Sequence, residues 1–381
     1  MDFSFNPSQE RLYASVVKFA RSALSPGAGR RDRAGVFPIA LWRRCASEGL
    51  HGLLVPRRYG GLGLTAESTS VALEGLGYAC TDAGLVLALG AQLLSCTVPI
   101  LRFGTPKQRR HLKALCGGRQ IMANAMTEPA SGSDVYAMTS RAEREGDGFR
   151  IHGRKTFVSC GPVADLFVVY AITDPSQKTF GGSTAFLIEK TARGLRISRR
   201  LEKMGLRSCP MAEIELSGVR VGRDAVLGGV GGAGVVFSTA MAWERVGLAA
   251  VQIGAMRRLL ERSVGHAKTR RVYGQPIGKF QAVSHRVADM KTHLEAARLL
   301  VYRAAALLDQ GADATLEAAI AKLFVSESLV KTALGTFQTL GGYGYLIREG
   351  VEREVRDALA ATIYSGTSEI QRNIIARHIG L

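Results

Sequence analysis

Apolar side chains in the first third of the chain recur at the spacing of helices. Leu12, Val16 and Ala20 fall four residues apart, and similar runs continue as far as residue 118. This spacing places apolar side chains on one face of an amphipathic helix. Asp82 stands directly before a long apolar stretch, where an N-cap residue is expected. The pattern predicts a largely helical region.

Beyond residue 119 the pattern changes to that of strands. Residues 149–158 and 212–219 largely alternate between apolar and polar, whereas residues 165–171 and 184–189 are short apolar runs. Alternation is typical of half-buried strands, and short apolar runs are typical of fully buried ones. Turns rich in Gly, Pro and Asp separate them. We predict a mostly antiparallel β region.

A glycine-rich segment at residues 227–234 ends the β region. It lacks the Gly-Lys-Ser/Thr ending of a phosphate loop and a following βαβ pattern, so we interpret it as a flexible connection. Helical spacing returns from Val235 nearly to the end of the chain. The order is therefore α, β, α, an α+β fold with predicted domains at residues 1–120, 121–228 and 229–381.

Charge and composition narrow the class of protein. A chain of 381 residues that is 46% hydrophobic and 22% charged has the composition of a folded protein and not of a disordered one. Its 50 Lys and Arg exceed its 32 Asp and Glu, for a net charge of +18. Such an excess favours an anionic partner: nucleic acid, a membrane surface, an acidic protein or a phosphate-bearing cofactor.

Targeting and metal signals are weak. The N-terminus has no basic and apolar leader pattern. The uncharged runs Ala83–Leu101 and Ala225–Trp243 reach the length of a membrane span, but their glycines and polar residues favour buried core segments. The scattered cysteines form no CxxC pair and are expected to be reduced thiols. His285, Asp289 and His293 share a helical face without a supporting ligand. We expect a cytoplasmic protein with no metal and no membrane span.

Three segments carry candidate chemistry. Residues 125–134 read AMTEPASGSD, residues 270–281 read RRVYGQPIGKFQ, and residues 338–345 read QTLGGYGY, followed by Arg356-Asp357 and by YSGTSEIQR at 364–372. Singly, each segment could be structural. In this order and at these separations they resemble the acyl-CoA dehydrogenase family over essentially the whole chain. The resemblance implies an N-terminal helical domain, a middle antiparallel β-barrel domain and a C-terminal four-helix bundle.

The resemblance also implies an FAD cofactor. Such an enzyme must hold the flavin ring against a thioester, with a base on the opposite side of the acyl chain. Phe157 stands where the family commonly has Trp, and Arg270 and Tyr273 match positions that reach a neighbouring subunit's flavin. A homotetramer is therefore expected, although a dimer would also satisfy this contact. The positions that match cofactor contacts are Met126, Thr127, Phe157, Ser159, Arg270, Tyr273, Gln281, Gln338, Gly342, Thr367 and Glu369.

The catalytic base departs from the commonest family pattern. Many members carry a glutamate directly before the Gly-Thr of the last segment, where this chain has Ser365. A serine cannot act as a general base for a carbon acid without its own activator. A subset, including isovaleryl-CoA dehydrogenases, instead has an acidic residue followed by Arg on the first helix after the β domain. Glu244-Arg245 matches that pattern, and apolar neighbours would raise the pKa of Glu244. The alternative is a surface glutamate in an ion pair.

A narrower resemblance concerns the substrate. Residues 206–210, 243–245, 281–286 and 365–368 resemble the prolyl-carrier-protein dehydrogenases of pyrrole-forming secondary metabolism. This implies a partner carrier protein whose phosphopantetheine arm holds the substrate, and the charge of +18 suits docking to an acidic carrier. The acyl group and the electron acceptor, a partner or oxygen, are not fixed. The positions implied on the substrate side are Ser133, Trp243, Arg245, Tyr364, Ser365 and Gly366.

Three other functions stay open. The first is a short- or branched-chain acyl-CoA dehydrogenase of primary metabolism. The second is a catalytically vestigial member that binds nucleic acid or acts as a scaffold, although the basic residues are dispersed along the chain. The third is a flavin monooxygenase, which would not normally need a base at Glu244.

Overall fold

A computed structural model describes residues 4–177 and 180–381 of the chain. Helices precede a single large sheet, and further helices follow it, in the predicted order. The helices before the sheet are α1 (Pro7–Phe19), α2 (Ala28–Ala34), α3 (Ile39–Ser47), α4 (Ala66–Ala79), α5 (Ala83–Ala91), α6 (Val98–Phe103) and α7 (His111–Cys116).

The stretch Ala83–Phe103 forms the centre of the N-terminal helical region. It consists of α5, a π-helical segment Gln92–Thr97 and α6. The side chain of Asp82 accepts a hydrogen bond from the backbone N–H of Leu85, which makes it the N-cap that the sequence predicts. Although the stretch is long and apolar enough to cross a membrane, 83% of its most apolar window is buried inside the protein. It is thus a core helix.

The central sheet is mostly antiparallel, as predicted. Its strand order is β6-β7-β3-β2-β4-β5-β8, and β1 pairs with β4. The β1–β4 and β2–β4 pairs are parallel, which the sequence pattern did not indicate. The strands are β1 (Met122–Ala125), β2 (Arg141–Glu145), β3 (Gly148–Ser159), β4 (Leu166–Ile172), β5 (Ser183–Glu189), β6 (Leu195–Ile197), β7 (Met211–Val221) and β8 (Val226–Leu227).

An irregularity in β3 exposes an aromatic side chain at the candidate site. The pairing of β3 with β7 shifts register between Lys155 and Val158. Within that shift Phe157 has φ of 55°, and its side chain is 63% exposed. A bulge re-aims side chains that regular pleating would send elsewhere. The shift therefore turns an aromatic ring outward near the end of a strand in which only Phe157 and Arg154 are exposed.

The C-terminal region is built on three long helices. The region contains α8 (Ala233–Thr269), α9 (Gln281–Asp309), α10 (Thr315–Leu340), α11 (Gly342–Tyr345), α12 (Val351–Leu359) and α13 (Ser368–His378), with a hairpin of β9 (Arg271–Val272) and β10 (Gln275–Pro276) between α8 and α9. The hairpin interrupts the helical pattern expected after Val235. Both α12 and α13 pack on α10, and α4 packs on α8.

Close packing of α4 on α8 joins the two helical regions. A Cβ added at Gly77 would overlap the carbonyl oxygen of Val251, and one at Gly254 would overlap that of Glu74. Only glycine permits backbones to approach this closely. The second uncharged run, Ala225–Trp243, was predicted to be a buried core segment. It is only partly buried, because Val230 and Val235 are 51% and 61% exposed. It contains the turn that leads from β8 into α8.

Candidate active site

Glu244 lies in the first half of α8, the C-terminal helix on which α4 of the N-terminal region packs. It is partly buried on α8, and no ion pair of its carboxylate occurs within residues 4–177 and 180–381. Burial raises the pKa of Glu244, while the hydroxyls of Ser365 and Ser95 and the charge of Arg245 act in the opposite direction. A carboxylate with a raised pKa is a stronger base. This environment differs from that of a surface glutamate in an ion pair.

The turn before α13 brings Ser365 against Glu244. The Ser365 hydroxyl donates a hydrogen bond to Glu244 Oε1 at 2.5 Å, although the two residues are 121 positions apart. The two positions that could carry the base in this family pattern are thus in direct contact. The serine serves here as a donor to the carboxylate, which holds that carboxylate in one orientation and favours its ionised form.

Two buried side chains hold this turn in place. Ser365 has φ of 57°, in a region that non-glycine residues rarely adopt. Arg245 Nε donates to the Ser365 carbonyl at 3.1 Å, and Gln371 Nε2 donates to the Gly366 carbonyl at 2.8 Å. Burial lowers the pKa of Arg245 to about 10, so it stays charged at neutral pH. Strained backbone persists where surrounding contacts determine it, as they do here.

Other polar groups surround Glu244 from the core. Cys96, in the π-helical segment, is close enough that the Glu244 charge adds to burial in raising the pKa of its thiol. Tyr364 accepts a hydrogen bond from Gln252 Nε2 at 2.8 Å. π-helical turns frequently occur at functional sites. Sequence reasoning missed Ser95, Cys96 and Gln252, because no local pattern marks them. Gln371 lay within a quoted motif but was given no role.

A second group of predicted residues lies at the edge of the sheet. The backbone N–H of Thr156 donates to the Thr127 carbonyl at 2.8 Å, which places Thr127 beside the outward-facing Phe157. Met126 is buried next to Thr127, and Ser159 ends the same strand as Phe157. An exposed aromatic ring beside a hydroxyl-bearing loop can cover a flat ligand.

A buried ion pair supports this edge. Lys155 Nζ donates to Glu128 Oε1 at 2.8 Å and to the Met126 carbonyl at 3.2 Å. Glu128 also accepts from the backbone N–H groups of Thr139 and Ser140. Burial opposes ionisation of Glu128, but Lys155 and these donors hold its pKa at about 2. Burial lowers the pKa of Lys155 to about 8, so both partners are mainly charged at neutral pH.

A third group lies at the far end of α8. Arg270 and Gly342 line an open cavity of about 420 Å³ together with His266 and Tyr343. Because a helix rises about 1.5 Å per residue, 26 residues separate Arg270 from Glu244 by about 39 Å. A single chain therefore does not bring Arg270 to the Glu244 site. Gln338 is exposed at the end of α10, near Gly342.

The remaining predicted residues lie at the surface or at the start of α13. Tyr273 is 95% exposed at the tip of the β9–β10 hairpin, with φ of 47°, and Gln281 is exposed at the start of α9. Thr367 is the N-cap of α13, and Glu369 is exposed in its first turn. Ser133 is exposed in the loop after β1.

The residues present fit a flavin cofactor. The exposed face of Phe157 beside Thr127 suits a flat ring system. Near the first turn of α13, Ser368 Oγ and Gln371 Oε1 are buried without a protein partner in the described ranges. Buried polar atoms are rarely left unsatisfied, so such atoms suit contact with a polar ligand. Arg270 supplies a cation beside a cavity at the surface.

The cysteines and histidines give no metal site in the described parts of the chain. All six cysteines are buried and unpaired, and Cys160 Sγ lies 3.8 Å from Cys209 Sγ. No group of three or more His, Cys, Asp or Glu within residues 4–177 and 180–381 is placed to hold a metal ion.

Comparisons with known proteins match the whole chain. Family models described as the N-terminal, middle and C-terminal domains of acyl-CoA dehydrogenase match residues 6–119, 123–219 and 231–380. The chain is 41% identical to L-prolyl-[peptidyl-carrier protein] dehydrogenase of Pseudomonas fluorescens, with 100% of both chains covered. It is 37% identical to mitochondrial isovaleryl-CoA dehydrogenase of Oryza sativa, covering 98% of this chain and 92% of the relative. The structure titled PigA with FAD and proline is 38% identical, with a TM-score of 0.98 over 100% of both chains.

Proposed function

The chain belongs to the acyl-CoA dehydrogenase family, and from this premise we propose that it oxidises a prolyl thioester held on the phosphopantetheine arm of a carrier protein. It is an FAD-dependent dehydrogenase of acyl thioesters. Two successive two-electron oxidations would convert the prolyl group to a pyrrolyl group. The full-length similarity to a prolyl-carrier-protein dehydrogenase supports the substrate. The contact between Ser365 and Glu244 supports the chemistry.

Glu244 is the proposed base. Its carboxylate accepts the α proton of the thioester, and the Ser365 hydroxyl orients the carboxylate for that transfer. Arg245 and Gln371 keep Ser365 in its strained conformation. When bound, FAD supplies the acceptor for the hydride from the β carbon. Thr127 and Phe157 would hold its ring, with Met126 and Ser159 beside them.

Substitution of Glu244 tests this mechanism. We expect Glu244→Gln to fold and bind FAD, but not to bleach the flavin when prolyl-carrier protein is added anaerobically, since the amide cannot accept a proton. Glu261→Gln, an exposed substitution on the same helix, is the matched control and should bleach normally. Normal bleaching by Glu244→Gln would overturn the assignment.

The substrate class needs its own comparison. An acyl-CoA dehydrogenase of primary metabolism remains the second candidate, because the isovaleryl-CoA dehydrogenase relative is only slightly less similar. Rates should be measured with the prolyl group on its carrier and with short branched acyl groups on CoA. Faster oxidation of the CoA thioesters would replace the proposed substrate but keep the proposed base.

Arg270 and Tyr273 are proposed to serve the FAD of a neighbouring subunit in a homotetramer. The distance of about 39 Å along α8 and the almost complete exposure of Tyr273 support this arrangement. Mixed oligomers test it: subunits with Glu244→Gln and subunits with Arg270→Glu should each be inactive alone and regain activity when combined. An absence of regained activity in confirmed mixed oligomers would place Arg270 in its own subunit's site.

A further inference from the structure

Acidic residues are missing from one long part of the chain. Residues 83–127 contain six Lys and Arg and no Asp or Glu, whereas the whole chain has 32 Asp and Glu in 381 residues. Residues 49–66 likewise contain Arg57 and Arg58 but no acidic residue. The two segments together contribute eight positive charges and no negative charge to the net charge of +18.

The fold packs these two segments against each other. The 3-10 turn Arg57–Tyr59 packs against α7, and the 3-10 turn Gln108–Arg110 connects α6 to α7. Exposed cations on these elements form what we term the basic face. Its members are Arg57, Arg58, Arg102, Lys107, Arg110 and Lys113.

Few carboxylates neutralise the basic face. Among its six members, only Lys107 forms an ion pair within the described residues, with Asp224. The guanidinium of Arg58 lies 5.1 Å from the ring centroid of Tyr59. Unpaired cations on one surface create a positive potential that attracts anionic partners and accelerates their encounter. The basic face is therefore suited to an acidic macromolecule.

Arg102 connects the basic face to the Glu244 site. Its guanidinium lies 5.8 Å from the ring centroid of Trp243, the residue next to Glu244. Arg102 also belongs to the same helical stretch as Ser95, about 10 Å further along its axis by the rise of a helix. The hydrogen bond from the Ser95 side chain acts to lower the pKa of Glu244. Arg102 thus brings the basic face to Trp243, one of the positions predicted on the substrate side.

We infer that the basic face docks the acidic carrier protein that delivers the thioester, an inference that rests on the proposed function. A substrate on a tethered arm requires its carrier to dock near the base, and the basic face reaches the site through Arg102. Nucleic acid has no such requirement for proximity. Charged surfaces of this kind act mainly on the rate of association.

Charge reversal on the basic face, away from the site, tests the inference. The variant Arg58→Glu/Arg110→Glu/Lys113→Glu leaves Arg102 and Lys107 in place. The matched control, Lys190→Glu/Arg193→Glu/Arg196→Glu, reverses three exposed cations of the middle region. Anaerobic rapid mixing measures flavin reduction by prolyl-carrier protein and by the prolyl thioester of free pantetheine.

We expect the face variant to lose at least about tenfold in kcat/KM with prolyl-carrier protein, since docking charges can change association rates by more than that. Its rate with prolyl-pantetheine should equal that of the wild type, and added salt should no longer slow its reaction with the carrier. The control should behave like the wild type with both substrates.

Three results would overturn the docking site. These are an unchanged rate with the carrier, an equal loss with both substrates, and an equal loss in the control. Salt-sensitive binding of a short DNA duplex, abolished in the face variant while carrier oxidation is unchanged, would make the face a nucleic-acid surface. If the wild type oxidises neither thioester, the proposed function itself fails.

Discussion

Replacing Ser365 with alanine should change the acidity of Glu244 without removing the base. The Ser365 hydroxyl donates to the carboxylate at 2.5 Å, so it stabilises the ionised form. A hydrogen bond to a charged group contributes about 1.5–3 kcal/mol. Losing it should therefore strengthen proton binding by Glu244 roughly ten- to one-hundred-fold.

The direction in which Ser365→Ala shifts the pKa of Glu244 determines how the rate changes with pH. Burial already raises the pKa of Glu244, with the Ser365 hydroxyl as the first opposing influence. Ser365→Ala raises that pKa further, so less of the enzyme carries the ionised base at neutral pH. The acid limb of the rate profile should move to higher pH, and the rate should recover under alkaline conditions.

The assay is the rate of anaerobic flavin reduction by prolyl-carrier protein across the pH range where the protein stays folded. Ser238→Ala, which removes an exposed hydroxyl from the same helix as Glu244, is the control. An acid limb at the wild-type position in Ser365→Ala would refute the reasoning. So would a loss of rate that persists at alkaline pH, because that result would indicate displacement of the base.

Three further predictions concern stability and cofactor binding. Glu244→Gln should melt at a higher temperature than the wild type at neutral pH. The pKa of Glu244 is raised in the folded protein, so the wild type loses stability as the pH rises through that pKa and the buried carboxyl ionises, whereas the neutral amide does not. The difference in melting temperature should vanish at about pH 4, where the carboxyl is protonated in both states, and a difference that stays constant across a pH series of thermal melts would contradict this prediction. Lys155→Met should lower the free energy of unfolding in urea by about 3–5 kcal/mol, because it leaves Glu128 charged and unpaired in the interior. The double variant Lys155→Met/Glu128→Gln should regain much of that loss; a double variant as unstable as the single one would contradict this reasoning. Phe157→Ala should weaken FAD binding by about 0.5–1.5 kcal/mol in a titration, whereas Phe157→Trp should retain it; equal weakening in both would argue against stacking.

Local patterns predicted much of the fold. The four predicted strand segments lie in β3, β4, β5 and β7, because burial imposes a period of two or a continuous apolar run on a strand. Asp82 was recognised as an N-cap from its position alone. The hairpin between α8 and α9 and the parallel pairs of β4 were missed, since two-residue strands and strand direction leave little trace in hydrophobic spacing.

The family was recognisable for a different reason. Three motifs in register over most of the chain carried the resemblance, and matches to all three domain models confirm it. The individual site residues stay predictions. The structure adds that Thr127 and Phe157 are neighbours, and that Arg270 lies at the other end of α8 from Glu244.

The sequence by itself determined the α-β-α order, the family and the two candidate positions for the base. Only the tertiary structure decided how those positions are related. Glu244 and Ser365 are 121 residues apart, and packing of the turn before α13 against α8 puts the hydroxyl on the carboxylate. The same is true of the basic face, whose two acid-free segments meet through α7. Contacts between distant segments depend on the packing of whole elements, which no local spacing records.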